Sequence, residues 1–434
     1  MPATEFDHQI EFMKRKKTGQ VAIIHYSSAP VIGGVESVIQ THARFFIGAG
    51  YPTTIIVGRG EQEAVPHGAR LIRIPALDSK HAHVLGLSQE LEQGRLPQGF
   101  EEMVSQIEET LAPHLNSIDM IIVHNIFTKH FNLPLTAALF RLLERGSMRH
   151  CVAWCHDLTW TSPNSRSKVY PGYPWDLLRT YYPGMTYVTV SQQRQRELAE
   201  LLECEPERIK VIYNGVNPEE LFGLSSIGLG LIDQLNLWES DLNLLLPVRV
   251  TQAKNIELAI HVIAALKEKG LLPKLVVTGP PDPHDQMNME YFQSLLALRD
   301  QVGVTEQVRF VYESGPVPDE PFFVDMRVVT ELLRVSDALF MPSHREGFGM
   351  PILEAGLAGI PIFCADSIPA AREIGGQDLI MFSPGAPPTQ IADLILRWTE
   401  ESSVLRLRRR VRQTLTWQSI FRDQILPLLE SGDR

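Results

Sequence analysis

The sequence predicts an α/β protein with two doubly wound domains, each a parallel sheet covered by helices. Two observations lead to this fold class. Along both halves of the chain, short apolar runs alternate with stretches in which apolar residues recur at the spacing of a helix. This alternation of strands and helices is typical of parallel sheets. In addition, 434 residues exceed the ~250–300 at which a single hydrophobic core stops growing. A hydrophobic fraction of 44% and a charged fraction of 21% exclude a disordered or fibrous protein.

The first half opens with an apolar run at 21–25, which predicts a buried strand, followed by the glycine pair 33–34. Helical spacing then continues to Gly50, a C-cap residue, and a second strand follows at 53–58. This stretch predicts a right-handed crossover unit. The alternation continues with strands at 71–75, 119–125, 151–157, 187–191 and 209–216, and with helices at 98–114 and from the N-cap Ser191.

The second half repeats the pattern after a glycine-rich stretch at 217–241, where we place the link between the domains. It begins with a strand at 242–250 and a helix at 256–269. Parallel sheets of this kind bind ligands in the crevice at the carboxyl ends of their strands, so a cleft is expected there. Further strands are predicted at 272–279, 307–312, 338–343 and 360–366, and a helical tail from about 389 to 429.

Composition excludes several classes of function. Lysine and arginine number 40 against 51 aspartates and glutamates, a net charge of −11, which disfavours a nucleic-acid partner because such binding depends on neutralising phosphates. The four cysteines lack C-x-x-C spacing, which favours a reducing compartment. The N-terminal MPATEFDHQIEFMKRKK has no apolar core, and no apolar run approaches ~18 residues, so we expect neither a signal peptide nor a membrane span. A cytoplasmic location follows.

The helical tail carries a basic segment at 405–412. Arg406, Arg409 and Arg410 share one face of the predicted helix. One interpretation is peripheral contact with an anionic membrane, at its inner face. The other is a solvated helix face.

The densest constellation of reactive side chains lies in SHREGFGMPILEAGLAGIPIFCAD. Glu346 and Glu354 flank a turn that leads into a helix, and Glu354 is expected in the first helical turn, where a carboxylate is favourable. Free N–H groups at such a helix start, and carboxylates facing a cleft, suit sugar hydroxyls or a ribose. The alternative is an ordinary glycine turn before a buried strand. The residues between the two glutamates are Gly347, Phe348, Gly349, Met350 and Pro351, with Pro351 expected to open the helix.

A second constellation, in PVRVTQAKNIELA, joins a buried strand to a helix. Arg249 has a planar guanidinium and Lys254 a compact ammonium, a combination suited to two phosphates. The alternative is an ordinary pair of surface residues. Gly279 ends the next strand, where it would admit a nucleotide or form a plain turn.

Strand ends of the first half hold further candidates. Gly33 and Gly34 lie between a strand and a helix, and His156-Asp157 and His124-Asn125 each follow a predicted strand. Each histidine is either a cleft residue or a hydrogen-bonded structural one, and Asn214-Gly215 is typical of a turn. Walker-A, HExxH, GxSxG and Asp-x-Asp motifs are absent from the sequence, so no metal site is predicted.

Together these residues resemble the retaining GT-B glycosyltransferases of family 4. EGFGMPILE (346–354) matches the E-x7-E element of that family, and Arg249 with Lys254 resembles its G-R-L-x-x-x-K-G segment. Val248 and Asn255 stand where the family usually has glycine. The segments GGVE (33–36), HD (156–157), VTVS (188–191) and VIYNGV (211–216) follow in the family's order.

The resemblance implies two Rossmann-like domains facing across a cleft: an acceptor-side domain at 1–220, a nucleotide-sugar-binding domain at 221–415, and a helix at 416–434 that crosses back. Arg249 and Lys254 would neutralise the donor diphosphate, and Glu354 would bind the ribose. Glu346 and the 347–350 backbone would hold the donor sugar, with Pro351 and Gly279 beside it. On the other domain, His156 would contact the sugar, and Gly33, Gly34 and Asn214 would lie on the phosphate or acceptor side.

The function that the resemblance implies is transfer of a hexose, with retention, from a UDP- or GDP-linked sugar to a glycan, glycolipid or small-molecule acceptor. Neither a cofactor nor a metal ion is expected, and polysaccharide biosynthesis is the expected setting. The alternatives are a sugar-nucleotide epimerase or hydrolase of the same fold, or a catalytically silent subunit that binds nucleotide sugars.

Overall fold

The computed structural model describes residues 19–318 and 320–430, so the N-terminal segment tested above for a signal peptide lies outside the described residues. The contacts divide the chain into two compact units. Of the described residues, the first unit contains 19–215 together with 417–430, and the second contains those of Val216–Thr416. In the described part of the chain, every helix is too short or too polar to cross a membrane.

The first unit is built on a seven-stranded parallel sheet whose central strands β1, β4 and β5 are buried throughout. The spatial order is β3-β2-β1-β4-β5-β6-β7, so the order reverses between β1 and β4. The strands are β1 Val21–Ser27, β2 Thr53–Arg59, β3 Arg70–Arg73, β4 Met120–His124, β5 Cys151–Cys155, β6 Met185–Thr189 and β7 Ile209–Val211. The helices are α1 Gly34–Gly48, α2 Ala82–Leu91, α3 Phe100–Leu111, α4 Leu133–Glu144 and α5 Gln192–Leu202.

The second unit is built on a six-stranded parallel sheet in the order β10-β9-β8-β11-β12-β13, the doubly wound order of a Rossmann-like domain. Here the order reverses between β8 and β11. The strands are β8 Leu242–Leu246, β9 Pro273–Val277, β10 Val308–Phe310, β11 Ala338–Met341, β12 Ile362–Ala365 and β13 Ile380–Phe382. The helices are α6 Pro218–Phe222, α7 Ser226–Gln234, α8 Ile256–Glu268, α9 Gln286–Gln301, α10 Met326–Val335, α11 Met350–Ala358, α12 Pro388–Glu401 and α13 Ser403–Thr414.

The α/β prediction is confirmed, with differences at particular elements. The stretch 217–241, expected to be the link, forms α6 and α7 instead, because Leu231 and Ile232 pack into the core of the second unit. The strand predicted at 242–250 ends at Leu246, although Val248 and Val250 are buried in the following loop. These apolar residues belong to a loop that packs on the core. The periodicity of apolar residues does not distinguish such a loop from a strand.

The end of the chain completes the first unit. Two short helices, α14 Trp417–Ile420 and α15 Leu426–Glu430, follow α13. Phe421, between them, packs with its ring 5.2 Å from the rings of both Phe45 and Phe46 of α1.

The basic segment of the tail is held within the second unit. Arg412 of α13 donates two hydrogen bonds to Asp337, which directly precedes β11, and Arg408 lies 3.3 Å from the same carboxylate. Arg409 pairs with Asp241, which directly precedes β8, and Arg406 donates to the carbonyl of Glu400. Arg408, Arg409 and Arg412 therefore attach the helix to the sheet, a structural role that the segment's charge pattern did not predict.

Candidate active site

The candidate active site of the second unit lies at its topological switch point. The loops after β8 and β11 leave adjacent parallel strands at the same edge of the sheet, where the strand order reverses. Doubly wound sheets bind their ligands at this point. Arg249 and Lys254 lie in the first of these loops, and Glu346 lies in the second.

Lys254 and Glu346 form an ion pair. The Lys254 Nζ donates to Glu346 Oε2 at 2.6 Å, and the Ser343 hydroxyl donates to Glu346 Oε1 at 2.7 Å. The carboxylate is 9% exposed, so both of its oxygens are held where little water competes. Ser343 is a site residue that the sequence analysis did not single out, although it lies three residues before Glu346.

Backbone hydrogen bonds hold the two loops together. The N–H of His344 donates to the Ala253 carbonyl at 2.9 Å, and the Asn255 side chain donates to the Pro342 carbonyl at 3.1 Å. Asn255 has a φ of 51°, in the left-handed region that asparagine tolerates better than most residues. Asn255 therefore supplies the left-handed conformation that this turn requires.

The turn after Glu346 opens into α11. Gly349 has a φ of 88°, the helix begins at Met350, and Pro351 is its second residue rather than its first. Phe348 and Met350 are exposed. The expectation that Glu354 lies in the first turn of the helix is wrong, because the earlier helix start moves this residue to the second turn.

Two charged side chains close in sequence to the pair have no partner among the residues that the structure describes. Arg249 is exposed and makes no hydrogen bond or ion pair there. Glu354 is half-buried and is likewise unpaired within the described ranges. Either charge can therefore bind a ligand without breaking a contact to another described residue.

Gly279 is packed against the backbone of the Arg249 loop. Its N–H donates to the Val248 carbonyl at 3.1 Å, and a Cβ added here would lie 2.6 Å from the Val248 carbonyl carbon and 2.7 Å from the Arg249 Cα. The contact between the β8 and β9 loops thus accounts for glycine at this position. Its role beside a donor nucleotide stays a prediction.

Replacing Gly279 with alanine is expected to lower the free energy of unfolding by about 1–3 kcal/mol, because backbone atoms must move to admit the methyl group. Chemical denaturation measures this change. Gly347→Ala is the matched control, because no atom lies within 4 Å of its added Cβ. Equal stability of the two variants would contradict the steric explanation.

The first unit has its own switch point, between β1 and β4, and His156 lies beside it. His156 directly follows β5 and is 9% exposed, and its Nε2 lies 3.0 Å from Nδ1 of His124, the last residue of β4. Burial, together with the nearby His25, lowers the pKa of His156 to about 4. His156 is therefore a neutral imidazole at pH 7.

Gly33 and Gly34 lie at the N-terminus of α1, next to a carboxylate that the sequence analysis did not single out. Glu36 accepts a hydrogen bond from the Ser27 hydroxyl at 2.7 Å and lies 4.0 Å from His25 Nε2. Its side chain occupies the space that a Cβ on Gly33 would need. A carboxylate at this helix end disfavours a phosphate. The role of the two glycines on the phosphate or acceptor side stays a prediction.

Asn214 lies beyond β7 with an exposed side chain, away from named secondary structure. The structure thus joins Lys254 to Glu346 and places Gly279 against the Arg249 loop in the second unit. His156, Gly33, Gly34 and Asn214 belong to the first unit.

Within the described residues, no group of three or more histidines, cysteines or carboxylates has an arrangement that could hold a metal ion.

Two Rossmann-like sheets, with a charged pair at the switch point of the second, define the class of the GT-B glycosyltransferases. Two family models match the chain: Glycosyltransferase Family 4 over residues 32–220, and Glycosyl transferases group 1 over residues 232–414. The chain belongs to family 4 of the glycosyltransferases, as its sequence motifs predicted.

Similar proteins include an uncharacterized glycosyltransferase of Methanocaldococcus jannaschii, 30% identical over 187 residues and 42% of each chain. The mannosylglucosylglycerate synthase of Petrotoga mobilis is 22% identical over 277 residues, which cover 61% of this chain and 62% of the relative. The matches thus span about two fifths to three fifths of these relatives. Among solved structures, a sucrose-phosphate synthase from Thermosynechococcus elongatus is 15% identical, covers 96% of this chain and 100% of its own, and has a TM-score of 0.38.

Proposed function

We propose that this protein is a retaining glycosyltransferase that moves a hexose from a UDP- or GDP-linked sugar to a glycan, glycolipid or small-molecule acceptor, without a metal ion. The observation that carries the proposal is the Lys254–Glu346 pair at the switch point of the second unit, close in sequence to the unpaired Arg249. Two cations at this point suit a diphosphate, and a held carboxylate suits sugar hydroxyls.

The leaving group explains why cations are needed. When the bond between the anomeric carbon and the phosphate oxygen breaks, the electron pair stays on the diphosphate, whose negative charge rises. Lys254 has three N–H donors, so it can contact a phosphate oxygen while it keeps its bond to Glu346. Arg249 offers the second cation. Donors fixed before the reaction stabilise such a charge without reorganising, an effect of about 3–4 kcal/mol for each donor.

The remaining roles follow from charge and hydrogen-bonding capacity. Glu346 positions the donor sugar, because both of its oxygens already accept hydrogen bonds that orient the carboxylate. Glu354, which is unpaired within the described residues, accepts from the ribose hydroxyls. The acceptor hydroxyl attacks the anomeric carbon on the face that the diphosphate leaves, and its proton passes to the diphosphate. His156 contacts the sugar as a neutral group.

The alternatives are a sugar-nucleotide epimerase or hydrolase of the same fold, or a catalytically silent subunit that binds nucleotide sugars, and product analysis separates them. Transfer that requires an acceptor supports the proposal. Release of free sugar or a changed sugar nucleotide without acceptor supports an epimerase or hydrolase. Donor binding without turnover across an acceptor panel supports a silent subunit. Peripheral contact with anionic lipid stays a further proposal, tested by vesicle sedimentation of Arg410→Ala.

A thermal-shift screen of UDP- and GDP-linked sugars tests the donor site directly, because a ligand at about 100 times its Kd adds about 2.7 kcal/mol of stability. We expect one nucleotide sugar to raise the melting temperature of the wild-type protein and Glu354→Gln to lose most of that rise, because a neutral amide binds ribose hydroxyls less strongly. Glu401→Gln, an exposed change at the end of α12, is the control. A full shift in the Glu354 variant would contradict its role.

A further inference from the structure

The switch point of the first unit contains a pair of nearly coplanar imidazoles that meet through their ring nitrogens. The rings of His124 and His156 have centroids 5.3 Å apart and planes inclined by 21°. We propose that His124 is a positioning residue that holds His156 in the Nδ1–H tautomer, so that His156 presents a hydrogen-bond donor to the substrate. The part of this inference that concerns the substrate rests on the proposed function, and the part that concerns the tautomer does not.

Both rings are neutral at pH 7. Burial, with smaller contributions from neighbouring histidines, lowers the pKa of His124 well below its usual range, and the pKa of His156 is about 4. A neutral imidazole carries one N–H and one lone pair. In the 3.0 Å contact between His124 Nδ1 and His156 Nε2, one nitrogen therefore donates and the other accepts.

The second nitrogen of His124 decides the direction of this bond. His124 Nε2 is buried and has no hydrogen-bond partner. If His156 donated, the His124 proton would have to lie on Nε2, as an N–H without an acceptor. If His124 donates from Nδ1, only a lone pair is left unpaired at Nε2. Buried N–H groups without an acceptor are rarer than buried acceptors without a donor, which favours donation by His124.

The tautomer of His156 follows from that direction. Its Nε2 accepts from His124, so its proton lies on Nδ1. This nitrogen has no partner among the described residues and, unlike His124 Nε2, is not among the buried unpaired atoms. Although the residue is largely buried, its single N–H is thus left for a ligand. The alternative tautomer would present a lone pair there, which could only accept.

Backbone contacts position both rings. The Asn125 Oδ1 accepts from the N–H of His156 at 2.8 Å and from that of Asp157 at 3.1 Å, and Asn125 itself has a φ of 60°. His25 Nδ1 donates to the carbonyl of His124 at 2.9 Å. These bonds hold the backbone beside both rings, which keeps the rings within hydrogen-bonding distance of each other.

Nitrogen NMR of the ¹⁵N-histidine-labelled protein at pH 7 tests the tautomer without any activity assay. His156→Asn identifies its signals by their loss. We expect Nδ1 of His156 to be protonated and Nε2 to be unprotonated in the wild type and in His124→Asn, whose amide can donate from nearly the same place. In His124→Leu the proton should shift to Nε2 in part of the molecules. An Nε2–H tautomer in the wild type, or no change in His124→Leu, would overturn the proposal.

Transfer kinetics test the consequence. His124→Leu should lower kcat/KM by about tenfold, the loss of one hydrogen bond, and His124→Asn should restore most of it. His42→Leu is the matched control, because its ring is equally buried, 5.4 Å from that of His124, without a bond to His156. If His124→Leu does not fold, the spectra of the wild type and of His124→Asn still show which nitrogen of His156 is protonated. An Nδ1–H tautomer in a protein without transferase activity would contradict the proposed function and not the tautomer.

Discussion

Replacing Lys254 with alanine is expected to slow sugar transfer by about 10²–10³-fold while weakening donor binding by less than about tenfold. The physical reason is that the diphosphate is more negative as it leaves than in the bound donor, so the cation stabilises the transition state more than the ground state. Arg249, which is not bonded to Glu346, remains to bind the donor. Steady-state kinetics and calorimetric titration with the donor nucleotide measure the two effects separately.

Two further variants separate the effect of Lys254 on the leaving group from its effect on stability and from a general loss of surface charge. Alanine at 254 also leaves the Glu346 carboxylate, only 9% exposed, without its cation, so part of the effect could reflect lower stability. Lys254→Ala combined with Glu346→Gln removes both charges and should regain stability while transferring sugar no faster than Lys254→Ala, because Glu346 also positions the donor sugar. Lys269→Ala removes a surface cation paired with Asp393 and should leave transfer unchanged. A folded Lys254→Ala protein with the wild-type rate would contradict the leaving-group role.

Replacing Arg412 with alanine is expected to lower the free energy of unfolding by about 3–5 kcal/mol, because it leaves the Asp337 carboxylate buried beside one remaining cation. The Arg412 and Asp337 side chains are 5% and 0% exposed, and the guanidinium holds both carboxylate oxygens at 2.9 and 2.8 Å. It also donates to the Ser240 carbonyl at 2.8 Å. Denaturant titration and calorimetry check this expectation, with a melting temperature lowered by roughly 10 °C.

The same helix provides the control for Arg412. Arg410→Ala removes an equal charge from an exposed position of α13, where a change within about 0.5 kcal/mol is expected. If both variants unfold alike, the buried pair does not stabilise the second unit. If Arg410→Ala alone weakens binding to anionic vesicles, the two arginines have separate roles, one in the fold and one at a surface.

Much of the fold could be predicted because the relevant signals are local. The alternation of apolar runs and helical spacing reports buried parallel strands and the helices that cover them, and it located twelve of the thirteen strands of the two sheets to within a few residues. Turn and cap residues added the ends of helices: Ser191 accepts from the N–H of Arg194 as the predicted N-cap of α5. The three-residue edge strand β13 was missed.

The sequence by itself determined the α/β class, the E-x7-E element and the charge types of the site, because these depend on neighbouring residues. Only the tertiary structure decided which of those charges meet. Lys254 and Glu346 are 92 residues apart, His124 and His156 are 32 apart, and Arg412 and Asp337 are 75 apart. Each pair is brought together by strand order and by the docking of a helix on a sheet. Those arrangements follow from burial summed over whole cores, and no local propensity encodes them.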